Sequence, residues 1–153
     1  MFEPQTPDFA QRVHESFRRQ RVMTLFGAQL EDVQPGRVTI RLPFRDDLTQ
    51  QHGFLHAGVV TTIVDSACGY AAYSLMPAGA SVLTVEYKVN LLAPAKGTEF
   101  LAEGQVVKQG RTITVCEGKV YALSEGNRDQ RKLIATMSAT MITLLDRPGI
   151  PAG

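Results

Sequence analysis

Residues 57–76 are apolar almost throughout, and their one charged side chain is Asp65. A helix of this composition has no polar face to turn to water, so it must be enclosed by other protein elements or by lipid. Roughly 20 helical residues reach about 30 Å, enough to cross a bilayer. Thr61, Thr62, Asp65, Ser66 and Ser74 argue against hydrocarbon, which leaves a helix enclosed by a protein core. A solitary carboxylate there is costly unless fixed donors surround it, so Asp65 is where chemistry is expected.

The rest of the chain must supply the enclosure. With 153 residues and 44% hydrophobic content it is long enough for one domain, 1–153, with a helical segment over 1–22 and a loose tail over 146–153. Lys and Arg number 16 and Asp and Glu 15, a net charge of +1 that offers no basic stripe to nucleic acid; a small molecule is the better partner. Cys68 and Cys116 lack the paired short spacing of a zinc or redox site and read as buried free thiols. Residues 1–8 hold acids and prolines instead of a basic start and an apolar run, so a cytoplasmic location is expected.

Phe9, Val13 and Phe17 recur at fourfold spacing, the mark of an amphipathic surface helix with Asp8 as its N-cap. Residues 28–33 and 37–43 read as a hairpin turning at Pro35-Gly36. After Pro77-Ala78-Gly79-Ala80 the periodicity becomes two: Leu83, Val85, Tyr87, Val89 and Leu91 are expected to share a buried face, and Thr84, Glu86, Lys88 and Asn90 the opposite one. Strands over 100–108 and 112–121 flank Gln109-Gly110, a polar loop covers 124–129, and Leu133, Ala135, Met137, Ala139 and Met141 alternate in a last strand. Contiguous strands after one long helix predict an α+β class, a bent antiparallel sheet wrapped around a long central helix.

Gln50, Gly53, His56, Ala57, Gly58 and Asp65 occupy the positions of an Asn-x-x-Gly-x-x-His-Gly-Gly pattern followed by Asp inside the helix. In this the chain resembles the hotdog-fold acyl-CoA thioesterases of the PaaI type, and residues 83–94 and Lys108-Gln109-Gly110-Arg111 extend the likeness over roughly 25–145. The resemblance implies hydrolysis of an acyl-CoA by Asp65, acting as general base on water or as a nucleophile that forms a mixed anhydride. It implies carbonyl polarisation by the helix N-terminal N–H groups of Ala57 and Gly58, a positioning role for His56, and Thr84 steadying the attacking water. It also implies a homodimer sharing its active sites, often paired again as a dimer of dimers, and no cofactor beyond the coenzyme A of the substrate; no metal is expected, since loop positions His52 and His56 and mid-helix Asp65 need not converge. Gln50 replaces the family's asparagine and keeps its amide donor; Ala57 replaces a glycine, at little cost if helical.

His52, Phe54 and Leu55 in the loop are candidate substrate contacts, and together with Tyr70 and Tyr73 they suggest an apolar, aromatic or medium-chain acyl group. Lys96, Lys108 and Arg111 stand at strand ends where they could meet coenzyme A phosphates, against the plainer reading of solvated cations. Two rival functions keep the fold: a non-catalytic acyl-CoA-binding protein, and an enoyl-CoA hydratase, for which His56 and Asp65 stand in reverse order.

Overall fold

The computed structural model describes residues 2–124, 127–145 and 147–150, with backbone alone over 127–129. The chain runs α1 (Phe9–Arg19), α2 (Arg21–Phe26), β1 (Gln29–Gln34), β2 (Arg37–Pro43), a 3-10 turn (Asp46–Leu48), α3 (Ala57–Tyr73), β3 (Ser81–Leu91), β4 (Glu99–Gln109), β5 (Ile113–Ser124) and β6 (Asn127–Leu144). The strands form one sheet in the order β1-β2-β4-β5-β6-β3, every neighbouring pair antiparallel.

Helix α1 buries Val13 and Phe17 as its spacing demands, but the Asp8 side chain makes no capping bond; only its carbonyl is used, by Arg12 N–H. A second short helix, α2, comes almost at once and stops at Gly27, whose φ of 72° is the left-handed conformation that ends helices cheaply in glycine. Helix α3 stops at Tyr73, and turn bonds from Ser74, Leu75 and Met76 finish the apolar segment.

Helix α3 packs against β2, β3, β4, β5 and β6 and meets the core residues Val38, Ile40, Leu42, Phe100, Ala102, Cys116 and Met141. Two glycines let it sit close: a Cβ on Gly104 would overlap the Ala67 backbone, and one on Gly118 would overlap Val64. The antiparallel sheet around an enclosed helix is the architecture the sequence predicts.

Three expectations fail. Leu83, Val85, Tyr87, Val89 and Leu91 neither share a face nor lie buried: Leu83, Val85, Tyr87 and Leu91 are 48, 55, 47 and 52% exposed. Strand β3 closes the edge of the sheet, and Thr84 pairs with Met141 while Glu86 pairs with the adjacent Thr140, so Val85 is an extra residue, a β-bulge that reverses the facing of the residues beyond it. A second irregularity makes Ile134 the extra residue opposite Val120 and Tyr121, so Ile134 is buried where Leu133 was expected. The polar loop over 124–129 is shorter than expected, since β5 runs to Ser124 and β6 starts at Asn127; residues 125–126 lie outside the described residues, as do 146 and 151–153 of the predicted tail.

Candidate active site

Asp65 sits midway along α3 with its side chain half-buried, facing the start of β3. Thr84 Oγ1 donates to Asp65 Oδ1 at 2.8 Å, and Oδ2 has no protein partner among the described residues. This bond exists because of the bulge. Regular alternation would place Thr84 with Glu86 on the face away from α3, whereas the extra residue at Val85 puts Thr84 opposite buried Met141 and toward the helix. Burial raises the Asp65 pKa above the usual carboxylate value, and the Thr84 hydrogen bond pulls it partly back. A carboxylate so placed is a stronger base than a solvated one and keeps an oxygen free to take a proton.

Beside Asp65 opens a cleft of about 360 Å³. Ser66, Gly69 and Tyr70 of α3, Val82 and Leu83 of β3, and Gln20 at the start of α2 are among its walls. Gln20 Oε1 is a buried acceptor with no donor among the described residues. Gly69 lies one turn beyond Asp65 on the same helix face, a spacing legible in the sequence, and an interior helical glycine costs about 1 kcal/mol relative to alanine. Gln20 reaches the cleft only through the tertiary fold, so no local sequence signal marks it.

The start of α3 borders a second cleft, about 510 Å³, lined by Gln50, Phe54, Leu55, Ala57, Leu91, Leu92 and Pro94 among others. His56 is the N-cap, and its Nδ1 accepts the Gly58 N–H at 2.8 Å, which requires the Nε2–H tautomer. Val59 N–H bonds back to His56 O, so Ala57 is left with the one first-turn amide that has no partner among the described residues. Gln50 Oε1 accepts the His52 N–H, and its –NH2 has no partner among the described residues. Ala57 and Gln50 thus place two neutral donors on one cleft, while the Gly58 amide is already engaged.

Asp65 and Ala57 are eight residues apart on one helix, roughly 12 Å along its axis. No carbonyl group can touch both in a single chain, because each contact spans about 3 Å. Other candidates scatter. His52 is exposed; Lys96 is exposed next to Ala95 of the second cleft; Lys108 and Arg111 lie at the far end of α3, where the intervening Gln109 donates to Leu75 O. Tyr70 lines the first cleft, but Tyr73 lines neither, being buried in the core with the Arg12 guanidinium 4.8 Å from its ring centre.

Cys68 and Cys116 are free and buried. Burial, with Cys116 and Asp65 close by, holds the Cys68 thiol well above its ordinary pKa, and burial pushes Cys116 up to about 12, so neither is a ready nucleophile. Among the described residues no three metal-binding side chains gather, and no helix is long and apolar enough to cross a membrane.

Residues 52–127, which hold the helix, Asp65 and the bulged strand, match the model of the thioesterase superfamily. A thioesterase family protein from Silicibacter pomeroyi is 52% identical, superposes with a TM-score of 0.86, and is matched over 90% of this chain and 98% of its own. This chain belongs to the thioesterase superfamily. The Escherichia coli PaaI protein of the phenylacetic acid degradation operon shares the fold with a TM-score of 0.80 over 92% of this chain and 96% of its own, at 17% identity. Human acyl-coenzyme A thioesterase 13 is 29% identical over 85 residues, 55% of this chain and 60% of that protein. The thioesterase therefore has the hotdog fold, and its two clefts lie within or beside the matched stretch.

Proposed function

We propose that the chain hydrolyses acyl-CoA thioesters as a homodimer, Asp65 and Thr84 of one protomer working with Ala57 and Gln50 of the other. One observation carries the reading: the base and the free donors line two separate clefts, eight residues and roughly 12 Å apart along α3. Strand β3 supports it. The start of β3 lines the first cleft and its end borders the second, while its outer edge pairs with no strand among the described residues and the strand carries exposed Val85, Tyr87 and Leu91. Two copies pairing antiparallel along that edge would set the start of one β3 beside the end of the other, and so unite a base cleft with a donor cleft.

In that composite site the thioester oxygen would take hydrogen bonds from the partner's Ala57 N–H and Gln50 amide, charge-stabilising without a full cation. Water would lose a proton to Asp65 Oδ2 and attack the carbonyl carbon, while Thr84 holds Oδ1 in place and its lone pairs accept the water's other hydrogen. Collapse of the tetrahedral intermediate then expels the coenzyme A thiolate. Acyl-CoA as substrate is supported by the pattern around Asp65 and by the human relative's name. Lys96, exposed next to Ala95 of the second cleft, would meet the nucleotide phosphates.

The decisive test is Asp65→Asn assayed for thiol release from an acyl-CoA panel. Turnover should fall by about 10²–10⁴-fold, the usual worth of a positioned base. Folding should not suffer: a carboxylate whose pKa is raised in the native state loses stability as pH rises through that pKa, and asparagine removes the loss. The variant should therefore be at least as stable as the parent at neutral pH by urea denaturation. Parental turnover in the variant would refute the mechanism.

A further inference from the structure

Gly69 is the helical glycine that nothing in this chain explains. Its φ is not positive, so the backbone does not call for glycine. A Cβ built there meets, among the described residues, no atom within 4 Å beyond its own chain neighbours and helical backbone, unlike Gly104 and Gly118, where a side chain would collide with α3. The helix bears the conformational penalty without any packing return inside the protomer. What the missing side chain leaves is open space, in the wall of the cleft that holds Asp65. Four residues along α3 is about 6 Å, so that space lies where the first few atoms of an acyl group would be if its carbonyl stood at Asp65. Tyr70 and Val82 line the same cleft.

We propose that Gly69 is a specificity-determining residue: the acyl group lies across the bare backbone of α3 one turn beyond Asp65, and the absent side chain admits a ring or a branch close to the thioester carbonyl. This rests on the acyl-CoA thioesterase reading and extends it to the shape of the substrate. Any side chain at 69 fills the space from below, and the loss grows with its size and with the bulk of the acyl group.

The test compares the parent chain with Gly69→Ala and Gly69→Val. It measures kcat/KM for benzoyl-CoA and acetyl-CoA by thiol release, Tm, and molar mass by light scattering. The benzoyl-to-acetyl ratio of kcat/KM should fall at least about tenfold in Gly69→Val and by less in Gly69→Ala. Gly69→Ala should also raise Tm by about 2–4 °C through helix propensity, at unchanged molar mass. An unchanged ratio in both variants overturns the inference, whether or not assembly is lost with it; loss of assembly would assign Gly69 to packing between copies. A parent active on acetyl-CoA and inert to benzoyl-CoA overturns it too. A parent that hydrolyses no acyl-CoA defeats the thioesterase reading itself, whereas an active parent indifferent to the substitutions defeats this inference alone.

Discussion

The two ends of α3 are finished in opposite ways. Past its C-terminus, Arg12 donates to the carbonyls of Met76 and Pro77 at 3.0 and 2.9 Å, Gln109 donates to Leu75 O at 3.0 Å, and Ser74 Oγ accepts the Gly36 N–H at 2.8 Å. Each of these polar groups meets a partner from another element. At the N-terminus His56 takes one amide, Ala57 keeps another unbonded, and a cleft opens against it. Each end leaves one pole of the backbone dipole unpaired within the helix, carbonyl acceptors at the C-terminus and N–H donors at the N-terminus. The closed end spends it on fixing the helix to α1 and the sheet, and the open end holds it ready for an oxygen that the protein does not supply.

Substitutions can break this contrast. Arg12→Ala should cost about 2–3 kcal/mol of stability, since it strands two carbonyls that a charged donor now serves, while turnover per folded molecule stays within about twofold; urea denaturation with parallel assays decides. A large loss of turnover without loss of stability would mean that the closed end takes part in the chemistry. Thr84→Val should lower kcat about tenfold and sharpen the account of Asp65. It removes the bond that favours the carboxylate, so the Asp65 pKa rises further, and the acid limb of the pH–rate profile should move to higher pH. His56→Ala should have the smallest effect, about 1 kcal/mol of stability from the lost cap. If it instead abolished turnover in a folded protein, His56 would be a proton carrier and not a positioning residue.

Sequence reading succeeds here where composition is decisive and fails where a single residue changes the phase. The apolar run around Asp65 could only be an enclosed helix, and the succession of strands along the chain after it follows from turns and alternation, though not their order in the sheet. The bulges at Val85 and Ile134 leave no trace in composition, yet each reverses which neighbours face the core. Alternation along β3 correctly marked apolar side chains, but hydrophobicity does not say whether this chain or another covers them. Asp65 was legible because a lone acid in such surroundings is conspicuous. Gln20 was not, because it reaches the cleft through the packing of α1 and α2, and for Gly69 the one-turn spacing from Asp65 can be read but not the open space over it.

The bulge at Val85 also bears on how this strand tolerates length changes. Most loops accept an inserted or deleted residue with little harm, but here leaving one surplus residue out of the pairing is what turns a hydroxyl inward. Deleting Val85 would leave Thr84 opposite Met141 and Glu86 opposite Thr140, a regular ladder with the hydroxyl still turned inward, whereas drawing Val85 into the pairing without shortening the strand would turn Thr84 away from its acid. This strand can therefore be shortened by that one residue, but it cannot be straightened at its present length without cost to the neighbouring cleft.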